Sequence, residues 1–268
     1  MAPAPQVSAP APAKAQPAQF RAVELRRLPA AEARQGAAVD AHHVYAINNT
    51  EIGKYDKRTG RRVAGWSGAP GAFTHLNSCA VFDAELVCAH SNYPGVPMAS
   101  SVETFDTRTL THTRSLSLGR GYGSLTWLDR RDGFWWAAYA NYDARGGEPG
   151  RDGRFTTLVK HDDRFQPLES WSFPASVLER FRPSSTSGGA WGANGRLYVS
   201  GHDAAELYVL QLPRSGSTLV HVATVAVSTP GQAFAFDRTE PDVIWSIDRS
   251  RRELVQSRLP TVNTRALR

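Results

Sequence analysis

The chain has 268 residues, 41% of them hydrophobic, enough for one large domain or two small ones. Its 31 basic residues are dispersed among 25 acidic ones, with no Lys/Arg run of five or more. The net charge of +6 therefore argues against a nucleic-acid arm and reads as solvated surface. No apolar run is long enough to cross a membrane as a helix.

Residues 2–19 are rich in Ala and Pro and cannot bury a core, so residues 1–19 are expected to be a disordered tail. They carry no signal-peptide pattern. The composition suits the start of a mature exported chain, so a secreted or periplasmic location is expected. A cytoplasmic chain with a loose end is the alternative. Residues 20–28 then read as a lone strand ahead of a repeat.

The first repeat unit predicts strands at residues 35–39, 43–47, 51–55 and 61–65, and the second at 75–82, 85–90, 101–105 and 111–118. The turn at 56–60 in the first is echoed at 106–110 in the second, with Leu110 where the first has Gly60. The third unit predicts strands at 124–128, 134–140, 155–161 and 167–173, and the fourth at 189–191, 196–201, 206–212 and 218–227. The fifth has only 232–236, 242–247 and 253–259. A strand-rich period of roughly 40–60 residues marks a β-propeller. The expected fold is all-β: one five-bladed β-propeller over residues 20–262, with a tail at 263–268. The strand at 20–28 should close the last blade, which otherwise lacks an outer strand.

Small inner-strand residues (Gly36, Ala37, Ala38, Ala80, Gly188, Gly189, Ala190) suit the narrow centre of five blades. Trp127, Trp135, Trp136, Trp191 and Trp245 are expected in the core between blades. Cys79 and Cys88 flank the turn at residues 83–85. A disulfide there would close a very short loop, so two buried free thiols are the expectation.

Strand direction gathers the long, polar, Gly/Pro-rich loops on one face. Residues 146–153 read as an insertion that caps its mouth, and residues 174–181 as a short helical second cap. His75 opens an inner strand, while His90 and His202 end second strands, so all three are expected at that mouth with Gln232. Imidazoles with an amide or carboxylate suit a divalent ion such as Mn, Zn or Ca; the competing reading is a polar, hydrogen-bonding funnel. Asn49, Asn92, Asn141, Asp203 and Asp248 form a second polar column, read as turn-forming side chains in preference to a calcium site. The face also carries Glu51, Asp143, Glu148, Asp152 and Glu206, among which no catalytic pair is picked out. No nucleophile elbow, P-loop, His-Glu-x-x-His or Cys-x-x-Cys is present.

Through the phrase at residues 44–46 and the turn at 56–60, the chain resembles the broad propeller superfamily with lactonase-like and quinoprotein-type repeats. The phrases at 90–94 and 201–210 are similar to those of a group of bacterial propeller proteins. The His75, His90, His202 and Gln232 set is similar in type to the His/Gln metal site of some propeller polysaccharide lyases.

The leading expectation is a metal-dependent hydrolase or lyase acting on a small oxygen-rich or carbohydrate-like substrate. His75, His90, His202 and Gln232 would hold the ion as a Lewis acid. Tyr93, Tyr142 and Asp203 form the expected catalytic set, with Tyr139 a further candidate donor. Asn92, Arg120, Asn141, Arg154 and Asp248 would bind substrate. The alternatives are a non-catalytic propeller binding a protein or glycan, and a carboxylate-pair glycosidase. A monomer is expected.

Overall fold

Turn chemistry sets the blade boundaries. Asp56 accepts hydrogen bonds from the backbone and hydroxyl of Thr59, and Asp106 does the same for Thr109. Leu110, with φ of +57°, takes the left-handed position that Gly60 fills in the first copy. A computed structural model describes residues 16–69 and 71–262. The parts of the expected tails at residues 1–15 and 263–268 lie outside the described residues.

The architecture is a five-bladed β-propeller. Ahead of the first blade come β1 (Ala18–Arg21) and β2 (Val23–Pro29). Blade 1 is β3 (Gly36–Val39), β4 (His43–Ile47), β5 (Glu51–Asp56) and β6 (Arg62–Ser67). Blade 2 is β7 (His75–Phe82), β8 (Glu85–Ser91), β9 (Ser100–Asp106) and β10 (His112–Gly119). Blade 3 is β11 (Ser124–Arg131), β12 (Phe134–Ala140), β13 (Thr157–His161) and β14 (Pro167–Ser172). Helix α1 (Ala175–Phe181) follows, at the position expected for the second cap. Blade 4 is β15 (Gly188–Trp191), β16 (Leu197–Ser200), β17 (Glu206–Gln211) and β18 (Val220–Ala226). Blade 5 has β19 (Ala235–Phe236), β20 (Val243–Asp248) and β21 (Glu253–Arg258).

The core lies in the five seams between blades, each with its own hydrophobic cluster. Trp127, Trp136, Trp171 and Trp191 fill the seam of blades 3 and 4, where α1 adds Val177 and Phe181. Trp135 lies in the seam of blades 2 and 3, and Trp245 in that of blades 5 and 1. The five tryptophans expected as core are all buried.

The N-terminal segment departs from its expected form by splitting in two. β2 pairs antiparallel with β21, from Val23 opposite Arg258 to Pro29 opposite Glu253, and closes blade 5. β1 instead pairs parallel with β18 of blade 4, so residues 18 and 19 belong to the sheet and not to a disordered tail. The open edge of β18 supplies the unpaired backbone groups that order them. The inner strand of blade 5 is also shorter than expected, with Ala235–Phe236 in place of residues 232–236. Its missing residues turn to blade 1, where Ala233 bridges Gly36 in parallel.

The cysteines correct a second expectation: Cys79 and Cys88 form a disulfide. The hairpin register sets them directly opposite each other with Cα atoms 4.0 Å apart, so the short loop is already closed by strand pairing.

Deleting residues 2–15 should leave the melting temperature within about 2 °C of the full chain, whereas deleting residues 2–29 should lower it by more than about 10 °C or abolish cooperative melting. Equal thermal stability of the two truncations would overturn closure by β2. Mass spectrometry without reductant should find no alkylatable thiol. The Cys79→Ala/Cys88→Ala variant should lose about 2–3 kcal/mol in denaturant titration, the chain-entropy value for so short a loop.

Candidate active site

The mouth is built where inner strands begin and second strands end. His75, first residue of β7, is half-buried and donates from Nδ1 to Asn49 Oδ1 at 2.8 Å. The same oxygen accepts from Gln35 Nε2 at 2.8 Å, so blade 1 fixes the ring of a blade 2 histidine. With Nδ1 as donor, Nε2 is left as acceptor; the Asn77 amide approaches it at 3.3 Å. Burial, then the nearby His90 and His202, hold the His75 pKa down to about 4. His75 is thus a neutral imidazole at physiological pH.

An aromatic arc continues from it. The His75 and Tyr93 rings are 5.1 Å apart, and those of Tyr93 and Tyr142 4.9 Å. The Tyr142 phenol bonds Ser124, whose hydroxyl donates to Ser91 at 2.7 Å. Burial raises the Tyr142 pKa, so the phenol keeps its proton. Beside Tyr142 a groove of about 500 Å³ opens against Asp143, Glu148, Arg151 and Arg154. This is the expected insertion, and it folds over blade 2 through Glu148, which accepts from the Met98 backbone at 2.5 Å.

His202 donates from Nδ1 to Asp203 at 2.6 Å and accepts at Nε2 from Arg249 at 2.7 Å. A carboxylate thus fixes its tautomer, as in a base–orienter pair. His75 and His202 lie within electrostatic reach of each other. Arg249 is not among the residues that the sequence alone singles out. Asn77 stood two residues from His75 and was likewise passed over.

The structure does not bring the expected metal set together. His75 faces Ser91 across the β7–β8 ladder, while His90 faces Leu76, so strand alternation turns the two histidines to opposite sides of blade 2. His90 packs against Phe73, accepts from the Thr74 backbone at 3.1 Å and donates to Ser101 at 2.9 Å. Both ring nitrogens of His202 are engaged as well. Among the described residues no three His, Cys, Asp or Glu side chains converge to hold a metal. The His75, His90, His202 and Gln232 donor set therefore does not fit a divalent ion, and no chemical step is assigned to one.

The remaining expected residues divide. Asn92 spends its amide on the Ala99 N–H and Pro97 carbonyl of its own loop. Asn141 donates to Tyr122 and Phe155 carbonyls. Asp248 is paired with Arg27 at 3.0 Å and caps Ser250. Arg120 is exposed, and Arg154 lines the groove beside Tyr142 while paired with Asp152 at 2.7 Å. Tyr139 is buried against His161 in the seam of blades 2 and 3, away from the arc. The other mouth carboxylates are also engaged: Glu51 by Asn48, Asp143 by Arg182, and Glu206 by Arg180 and Tyr208.

Among the described residues, six buried side-chain atoms lack a hydrogen-bond partner, and three are at this rim: Asn77 Oδ1, Asn141 Oδ1 and Gln232 Nε2. Each such atom costs about 1–3 kcal/mol, so their concentration marks a place where water or a ligand completes the bonding.

Neither a known protein family nor a curated protein matches the chain in sequence. Solved structures do match in fold. The PQQ-bound form of an aldose sugar dehydrogenase from Streptomyces coelicolor aligns with a TM-score of 0.55 at 15% identity, over 94% of this chain and 85% of that one. A gluconolactonase from Xanthomonas campestris aligns at 0.50 and 12% identity, over 84% and 71%. These likenesses establish the propeller fold.

His75 and His161 are both held down to about 4, chiefly by burial, against 6.5 for a free imidazole. Between those values the unfolded chain binds more protons, so stability rises with pH and is lost as pH falls from 6.5 through 4. Melting scans should show that loss, and His75→Gln and His161→Gln should each flatten it. An NMR titration midpoint near 6.5 for the His75 ring would contradict the assignment.

Proposed function

We propose that the mouth is an active site for a small, carbohydrate-like substrate, worked on by proton transfer through His202. The observation that carries this reading is the pairing, across one mouth, of a histidine oriented by a carboxylate with one kept neutral by burial. Asp203 holds His202 with Nε2 as the basic atom. In the free protein Arg249 donates to that atom. A carboxylate or polarised carbonyl on the substrate draws Arg249 to itself, and the freed Nε2 accepts a proton from water or from carbon. Either transfer serves the expected hydrolase or lyase chemistry. Tyr93 and Tyr142 offer faces for a sugar ring, and Tyr142, whose pKa burial raises, offers a protonated phenol as donor. The buried Asn77 Oδ1 and Gln232 Nε2, which lack protein partners, add one acceptor and one donor at the rim. Two proteins of the same fold are named for acting on sugars or their lactones, which supports the substrate class by analogy.

A carboxylate-pair glycosidase needs two carboxyls facing the scissile bond. The engagement of the mouth carboxylates weighs against that reading. The disulfide supports a secreted or periplasmic setting, where such bonds persist. No helix of the described residues is long and apolar enough to cross a membrane.

Against a panel of sugar lactones, aldonates and uronates, His202→Ala should lower kcat/KM by at least about 100-fold and Asp203→Asn by about tenfold, within the range of general acid–base catalysis. His75→Gln should raise KM more than it lowers kcat. Full activity in His202→Ala would refute proton transfer by His202. Saturable sugar binding without turnover, unchanged in His202→Ala, would make the mouth a non-catalytic receptor.

A further inference from the structure

The two caps of the mouth leave a cavity between them. It measures about 150 Å³ and lies between α1 and the short helical turn Gly153–Phe155 of the insertion. Its apolar wall is Ala175, Leu178 and Phe181. Val177 and Phe181, one turn apart, form the stripe that α1 buries in the seam of blades 3 and 4. Ala175 and Leu178 form a second apolar row that the seam covers only in part: Ala175 is exposed and Leu178 half-buried.

The polar groups of this cavity are already served. Ser185, on its buried floor, shares a hydrogen bond with Thr156 at 2.9 Å. Arg182 pairs with Asp143 at 2.9 Å, and Arg154 with Asp152 at 2.7 Å. Glu179 is exposed to solvent. The cations that line it, Arg154 and Arg182, are matched by the anions Asp143 and Glu179, so the lining favours neither sign of charge. An apolar wall, satisfied polar groups and balanced charge suit a neutral, apolar occupant. A cavity of about 150 Å³ with apolar walls holds one benzene-sized ring.

The cavity's position indicates what would carry that ring. Asp143 and Arg154 line both this cavity and the groove beside Tyr142. Ser184, also in its wall, donates at 3.3 Å to Asp203, the carboxylate that orients His202. The cavity therefore adjoins both the tyrosine arc and the His202–Asp203 pair.

We propose that this cavity is a subsite for a compact aromatic ring, and that the substrate of the mouth is an aryl-substituted, carbohydrate-like molecule. The proposal rests on the active-site reading for the rest of the substrate, but binding of the ring needs no turnover.

Ligand-observed NMR on the full chain, titrated with benzyl alcohol, should show saturable binding at about millimolar concentration. Leu178→Gln, which makes the wall polar, and Ala175→Phe, which fills the cavity, should each weaken it at least about fivefold. Leu168→Gln, at an exposed leucine of β14 outside the cavity, should leave it unchanged. Ala175 is exposed, so Ala175→Phe carries the test alone if Leu178→Gln melts early. Phenyl β-D-glucoside should bind about tenfold more tightly than methyl β-D-glucoside, and Ala175→Phe should erase that preference. The preference is read from affinities, so His202→Ala should keep it. A chain that shows the preference but turns over no substrate supports the subsite and refutes the active-site reading. Binding of benzyl alcohol that does not saturate or persists undiminished in Ala175→Phe, or equal affinity for the two glucosides, overturns the proposal.

Discussion

Everything at the centre of this propeller depends on how closely Ala233 approaches its neighbours. Its backbone pairs with blade 1, donating to the Gln35 carbonyl at 3.1 Å and accepting from Ala37 at 3.3 Å. On one side a Cβ at Gly36 would lie 2.5 Å from the Ala233 Cβ; on the other, a Cβ at Gly188 would lie 2.6 Å from its Cα. Blades 1, 4 and 5 meet at this point because two of the three have no side chain to keep them apart. The mouth inherits its geometry from it. Gln232, just ahead of Ala233, accepts from Ser200 through its carbonyl, and Gln35, just ahead of Gly36, holds Asn49, which holds His75.

The blade pattern was legible because it repeats and because strand and turn chemistry are local. The twin Asp-to-Thr turns and the buried tryptophans could be placed from residue type alone. What could not be read was register. A shift of one residue decides whether His90 joins His75 or turns away from it, and that shift depends on a bulge between Leu76 and Cys79. Beyond the bulge the shifted register brings Cys79 opposite Cys88, which counting loop residues misjudged. The short β19 was hidden for a related reason: residues 232–234 satisfy a neighbouring blade, and no local pattern reports a partner so far along the chain. At the mouth, Asp203 and the tyrosines were found by topology. Arg249 was missed because its partner, His202, is 47 residues away in sequence.

Electrostatically the mouth is unusual for a face so rich in acidic residues. Its carboxylates are engaged by arginines, by His202 or by amide and hydroxyl groups, while burial lowers the pKa of His75. On the proposed reading, neutral donors and acceptors with aromatic faces discriminate by the pattern of hydroxyls and by ring shape, and Arg249 adds one contact that depends on ionic strength.

The strap formed by β1 and β2 has a consequence for how the protein is made. Arg26 meets Gln256 across 230 positions of sequence, so β2 has no partner until β21 has been made. Each of the intermediate blades can form from neighbouring strands as it emerges, but the ring cannot lock until β21 has emerged. Until then β2 stays unpaired and open to the wrong strand, including the β21 of a second nascent chain. The final closure is therefore a quality checkpoint: a chain truncated before β21 leaves β2 without a home.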